Sequence, residues 1–270
     1  MALLEEARSG RGRAALVLGE AGIGKTRLTE AFAAAAAQLG IRVAWGRCTD
    51  AEPPAYWPWR QLLRALRGTT SLGVTTDGAG GRDVLFATVA NELEQAAAAV
   101  GPMVLVVDDI HWADPSSLAL LRFVLSILPD LPAVLVLTAR DDPLELSTAA
   151  ADLLRDLPPA VQRMPLGGLD WNSTHAIVQG LWGFSPAPAA FVTEVHQRTN
   201  GNPFFVQEVT NLRLLQGERP GFAVPPGVGQ VVGRRLARLS QAAHALLSVS
   251  SVIDDELDPE LLALMNGAFA

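Results

Sequence analysis

Lysine is all but missing from this chain: of 21 basic side chains, 20 are arginine and one, Lys25, is lysine. There is a single cysteine, Cys48, which excludes an internal disulfide and fits a reducing compartment. Aromatic residues make up only 6% of the sequence, with one tyrosine. No apolar run approaches the ~20 residues of a membrane span, and Met1-Ala2-Leu3-Leu4-Glu5-Glu6 lacks the pattern of a secretory signal. Positive charge is also short: the net charge is −7, which argues against strong nucleic-acid binding by electrostatics alone. These absences lead us to expect a soluble, cytoplasmic protein without membrane contact. The abundance of Ala, Gly and Arg reflects codon usage in a GC-rich genome more than function.

What is present starts with the surroundings of that one lysine. Residues 19–26 read GEAGIGKT, the pattern G-x-x-x-x-G-K-S/T. At this composition chance supplies such a match in about one chain in a thousand. An apolar run, Ala14-Ala15-Leu16-Val17-Leu18, precedes it, and a helical pattern from Arg27 to Leu39 follows. Strand, glycine loop and helix are the context a phosphate site needs, because backbone amides at a helix N-terminus attract anions. The amides of Ala21 to Thr26 are expected to curl around a β-phosphate. Lys25 then bridges the β- and γ-phosphates, and the Thr26 hydroxyl ligates Mg²⁺. The contacts predicted for the nucleotide from this loop are Gly19, Glu20, Ala21, Gly22, Ile23, Gly24, Lys25, Thr26 and Arg27. A glycine-rich turn with a solvated lysine is the alternative reading.

The first ~170 residues alternate strand-like and helix-like runs, as in a parallel sheet covered by helices. Further strands are predicted at Ile41–Trp45, Met103–Val107, Ala133–Thr138 and Val161–Met164. The proline- and aromatic-rich stretch Pro53–Trp59 is predicted to lead into a helix through about Arg67. Further helices are predicted at 83–100 and from Pro115 to about Leu128, the last with Asp114 as N-cap and Pro115 at its first position. Residues 68–81, rich in Gly, Thr and Ser, are expected to form a mobile surface loop. Tyr56, Trp57 and Trp59 are expected to form a buried wedge under a loop. After Gly167-Gly168 the strand signals stop, and helices are predicted at 170–182, 187–199 and 203–215. A Gly/Pro-rich linker over 217–227 and helices at 228–239, 241–252 and 258–265 complete the pattern. The expected division is therefore an ATPase domain over 1–168, a helical lid over 169–222 and a third, partial domain over 223–270.

Three further groups bear on chemistry. The strand ending in Asp108-Asp109 delivers carboxylates at its C-terminal edge. Asp108 suits the Mg²⁺ side of the site, and Asp109 is placed to polarise an attacking water. Read structurally, Asp109 is a strand-ending acid that caps the next turn. An aspartate is one methylene shorter than a glutamate, so slow hydrolysis is expected. Arg140, at the end of the strand over 133–138, reaches the γ-phosphate if that strand lies between the loop strand and the Asp108 strand; otherwise it is a surface arginine. Asn202 caps a helix with Pro203 in its first turn, and whether the Pro203 ring also meets an adenine is left open by spacing. His111-Trp112 reads as packing, and His175, His196 and His244 share no metal-ligand spacing with one another or with Cys48.

Together these stretches resemble the AAA-type ATPase domain of the signal-transduction ATPases with numerous domains (STAND). The closest likeness is the Orc-like AAA domain at the N-terminus of large LuxR-type transcriptional regulators. The stretches are GEAGIGKTRL (19–28), WGRC (45–48), YWPWRQLLR (56–64), LVVDDIHWADPSSLALLRF (105–123), TAR (138–140), GNPFFVQEV (201–209) and VPPGVGQVVGRRLARLS (224–240). The resemblance implies an α/β P-loop NTPase fold with sheet order 5-1-4-3-2, a helical lid and a winged-helix domain after it. It implies Mg-ATP bound by Lys25, Thr26 and Asp108, phosphate sensing by Arg140 and adenine contact by Pro203. It further implies a switch, with ADP holding a closed monomer while ATP and an inducer favour a self-associating form. Relatives carry an hhGRE-type segment upstream, and here the sequence stops at Asn266–Ala270, early in the winged helix. The resemblance thus leads us to expect a chain truncated at both ends, with lowered nucleotide affinity and no DNA-binding domain. A small-substrate kinase, an AAA motor using Arg122, Arg155 or Arg163 in trans, and a non-hydrolysing scaffold are the competing expectations.

Overall fold

In a computed structural model, the residues described are 2–51, 53–67, 81–143, 146–183 and 185–216, with isolated positions between 229 and 247. The expected loop at 68–81 falls almost entirely outside them. So do the 217–227 linker and most of the helices expected beyond it, with the winged-helix assignment. The described chain divides into two compact units: residues 1–169 with Asn202–Phe204, and the remainder from Asp170 onward.

The first unit holds five strands, β1 (Arg13–Leu18), β2 (Arg42–Arg47), β3 (Met103–Asp108), β4 (Ala133–Ala139) and β5 (Val161–Pro165). Every pairing is parallel and the order is β2-β3-β4-β1-β5. This is the 5-1-4-3-2 order that the resemblance implies, and it sets β4 between the loop strand and the Asp108 strand. Parallel neighbours require crossovers, supplied by α2 (Lys25–Gln38), α3 (Trp57–Arg67), α4 (Gly81–Val100), α5 (Pro115–Ile127) and α6 (Thr148–Arg155), while α1 (Ala2–Arg8) precedes β1. Every residue of β3 and β4 is buried, as the unbroken apolar runs require of central strands covered on both faces.

Strand alternation sorts side chains between the two layers. Met103, Leu105 and Val107, with Leu135 and Leu137, pack against α3, α4, α5 and α6 in the larger core. Val104, Val106, Val134 and Val136 point the other way, with Leu4, Ala7 and Ala36 from α1 and α2. Each such aliphatic side chain stabilises the fold by about 1.5–3 kcal/mol relative to exposure.

The tryptophan-rich stretch divides its labour. Trp59 is 1% exposed and its indole N–H donates to the Ser117 carbonyl at 3.0 Å, so it is the wedge that the sequence led us to expect. Trp57, by contrast, is 38% exposed, and Tyr56 is half-buried with φ +62°. The start of α3 lies hard against β2 at Gly46, where a β-carbon would sit 2.2 Å from the Pro58 carbonyl oxygen. Only glycine lets the two backbones approach this closely.

The second unit carries α7 (Trp171–Trp182), α8 (Ala189–Thr199) and most of α9 (Pro203–Gln216). Asp170 caps α7 by accepting from the Ser173 amide at 2.7 Å. A small core of Val178, Ala187, Val192, Val195 and Val206 joins these helices.

Candidate functional site

The carboxyl ends of parallel strands in an open sheet are where such folds bind ligands, and the predicted residues gather there. The loop over 19–24 leaves β1 and enters α2 at Lys25. Lys25 is 7% exposed and its ammonium donates to the carbonyls of Gly19 at 2.7 Å and Glu20 at 2.8 Å. Burial pushes the Lys25 pKa down, countered by Asp109 nearby. The lysine is therefore folded over the loop, its charge held by carbonyl dipoles inside a concave turn. Arg27, a contact predicted from the sequence, points outward instead and pairs with Glu30 at 3.6 Å on the surface of α2.

The loop is braced from a distant part of the chain. Asn202, 3% exposed, donates from Nδ2 to the Ala21 carbonyl at 3.1 Å, and its Oδ1 accepts from the Phe204 amide at 3.1 Å. The Phe204 amide also lies 3.4 Å from the Gly22 carbonyl. Gly22 has φ +78°, and a β-carbon on it would meet the Phe204 β-carbon at 2.7 Å. Glycine is thus required here twice over. Asn202 caps α9 as the sequence predicts, but its second bond, 181 residues away, left no local signal. Pro203, first residue of α9, lies between these two contacts.

The other wall of the site is the tip of β3. Asp108 is 3% exposed and its carboxylate accepts from the Thr26 hydroxyl at 3.2 Å and the Thr138 hydroxyl at 2.6 Å. Arg47, at the end of β2, stands 3.7 Å from the same carboxylate and 3.5 Å from Glu30. Asp109 falls just beyond the strand in the left-handed region, φ 59° and ψ 48°, a conformation aspartate tolerates better than most residues. Its amide donates to Thr138 Oγ1 at 2.7 Å. Thr138, fully buried, therefore ties both carboxylate positions to β4. Sequence reasoning passed over it, because a threonine inside an apolar strand reads as filler. Burial, then the neighbouring Asp108 charge, raises the Asp109 carboxyl above the usual carboxylate range.

Arg140 follows β4 and lies within electrostatic reach of Lys25 and Asp109. Its guanidinium sits 5.6 Å from the centroid of the Trp112 ring. His111 is buried at 3.8 Å from Asp109 and stacks at a tilt with Trp112. The three other arginines considered above engage partners in their own unit: Arg122 with Asp156, Arg155 with Asp152, and Arg163 with the Leu154 carbonyl. Among the described residues no cluster of three or more His, Cys, Asp or Glu gathers as a metal site, and no helix is long and apolar enough to cross a membrane.

Comparison with known proteins agrees with this picture. A family model described as the AAA ATPase domain matches residues 1–137. The ORC2 protein of Aeropyrum pernix in its ADP form superposes with a TM-score of 0.53 at 15% identity, over 99% of this chain and 76% of that one. AMPPCP-bound DnaA from Aquifex aeolicus gives 0.51 at 14% identity, over 97% and 73%. A STAND protein with a tetratricopeptide repeat sensor from Pyrococcus horikoshii is also similar, with a TM-score of 0.47 and 19% identity. That match covers 96% of this chain, which spans 35% of that protein's length. A search of curated proteins found no match.

Proposed function

This chain belongs to the AAA ATPase domain family, and from that premise we propose that it is an ATP-binding, slowly hydrolysing regulatory switch module. The observation that carries the proposal is the meeting of the glycine loop and β3 at Thr26 and Asp108. One hydroxyl and one carboxylate, hard oxygen donors within 3.2 Å of each other, suit a magnesium ion, which prefers oxygen ligands and retains several waters. Mg²⁺ in such a site would neutralise phosphate charge. Thr26 and Asp108 would hold it. Lys25 would leave the Gly19 and Glu20 carbonyls for the β- and γ-phosphates, exchanging two dipoles for formal negative charge. The loop amides of Ala21 to Thr26 would cradle the β-phosphate, and Pro203 would meet the adenine. Asp109, with its raised pKa, is the candidate base for the attacking water. Arg140, beside the Trp112 ring, would register the γ-phosphate and so distinguish ATP from ADP.

The regulatory setting extends the same reading. The module would serve a signal-transduction protein of the STAND class, in a LuxR-type transcriptional regulator in the cytoplasm. ADP would hold it closed, and ATP with an inducer would favour self-association. Multiple-turnover hydrolysis measured over a range of protein concentrations tests the proposal. Slow turnover, without added substrate and independent of concentration, is expected. Turnover that requires a small phosphoryl acceptor would replace it with a kinase, and turnover that climbs with concentration would replace it with a motor.

A further inference from the structure

The Gly201-Asn202-Pro203 turn does more than start a helix. Asn202 and Phe204 grip two consecutive carbonyls of the glycine loop, those of Ala21 and Gly22. In a trans peptide the N–H lies opposite the C=O, and no described peptide bond is cis. Drawing the Ala21 carbonyl toward Asn202 therefore turns the Gly22 amide the opposite way. The Gly22–Ile23 peptide is held at both ends, its carbonyl by the Phe204 amide and its N–H by the Glu20 carbonyl at 3.3 Å. An Asn side chain buried to this depth, with its carboxamide oxygen and nitrogen both bonded, is a rigid strut.

We infer that Asn202 is a positioning residue that sets the peptide planes of the phosphate loop before nucleotide arrives. The inference rests on the reading of residues 19–26 as a phosphate-binding loop. Without the strut, the free loop samples other orientations of these two peptide planes, and binding must order them. A pre-set loop escapes that cost. The effect acts through amides common to both nucleotides, so affinity for ATP and ADP changes together. That separates Asn202 from Arg140, whose contribution depends on the γ-phosphate.

The test uses Asn202→Asp, which keeps an oxygen for the Phe204 amide but replaces the donor to Ala21 with an acceptor. Two readouts apply: amide hydrogen exchange of Gly22–Lys25 in nucleotide-free protein, and calorimetric titration with Mg-ATP and with Mg-ADP. Loss of about one hydrogen bond of ordering predicts loop exchange faster by roughly tenfold and both affinities weaker by a similar factor. Exchange in β3 and β4 stays unchanged. Asn202→Ser, which retains a capping oxygen too short to reach Ala21, is read the same way if the aspartate variant fails to fold. Loop exchange and affinities equal to wild type in a folded variant would reduce Asn202 to a helix cap and overturn the inference. If wild-type protein binds neither nucleotide, the phosphate reading fails separately, and the exchange experiment alone decides the strut: faster loop exchange upholds it, unchanged exchange removes it.

Discussion

The two walls of the candidate site are built by opposite means. On the loop wall, the groups that matter are backbone atoms: carbonyls of Gly19 and Glu20 hold Lys25, and carbonyls of Ala21 and Gly22 are held by Asn202 and Phe204. On the acid wall the work falls to side chains. Asp108, Thr26 and Thr138 share one hydrogen-bonded cluster drawn from three elements. The difference teaches where each wall is vulnerable. A backbone wall tolerates side-chain change except where a β-carbon would collide, as at Gly22, or where a side chain is itself bonded to the loop, as at Lys25 and Asn202. A side-chain wall fails with the loss of a single hydroxyl.

The sharpest break in the comparison is expected at Lys25, the charged side chain that the loop carbonyls hold. Lys25→Ala should cost at least ~100-fold in Mg-ATP affinity, as expected for charge-assisted contacts to two phosphates. The thermal midpoint should stay within a few degrees. Titration calorimetry together with thermal melts checks both halves of this expectation.

Thr138→Val comes next and probes the acid wall. It keeps the shape but takes the shorter of two hydroxyl bonds from Asp108 Oδ1, which still faces Thr26 at 3.3 Å, and removes the acceptor of the Asp109 amide, costing about 1–3 kcal/mol of stability for a buried group left unsatisfied. Denaturant unfolding measures it. The Mg²⁺ dependence of ATP affinity should flatten in the same variant, and Thr138→Ser should restore both. A valine variant as stable as wild type would show that the cluster contributes little.

Arg140→Ala should spare ADP and lower the preference for ATP by about tenfold, the scale of one charge-assisted hydrogen bond. Competition between the two nucleotides reads this directly. Full discrimination in the variant would remove Arg140 from the site.

At Asp109 the expected effect on stability is small. Its folded-state pKa is raised by burial, so its charged form disfavours folding and stability falls as pH rises through that pKa. Asp109→Asn should therefore melt slightly higher than wild type at neutral pH, and the pH-dependent part of that gain should shrink as pH falls below the raised pKa and vanish at the ordinary carboxylate value. A gain that does not change with pH would point instead to the left-handed backbone, which asparagine also favours.

These expectations also show why one wall was easier to read than the other. The loop and the five strands announce themselves through contiguous residues: an apolar run, a glycine pattern, a lysine. Thr138 and Asn202 do not, because their partners lie 30 and 181 positions away and nothing local marks either as more than filler or a cap. Arg47, within WGRC, likewise carries no local sign that it stands beside Asp108. Helix α6 escaped notice for a different reason. Eight residues including three consecutive alanines give too little periodicity to separate a short helix from a loop. The 3-10 turn over Ile110–Trp112 was hidden because a single turn has no period at all. In the aromatic stretch, composition predicted burial but could not divide Trp59 from Trp57. The inward ring is marked by contacts distant in sequence, the Trp59 indole bonding the Ser117 carbonyl 58 positions away.

The claim on which everything else depends is that the wall of backbone amides and the wall of side chains together hold Mg-nucleotide. Calorimetric titration of the protein with ATP, with and without Mg²⁺, tests it most directly. The account predicts one saturable site whose affinity is stronger with the metal. No binding heat in either condition, in protein that melts cooperatively, would contradict it.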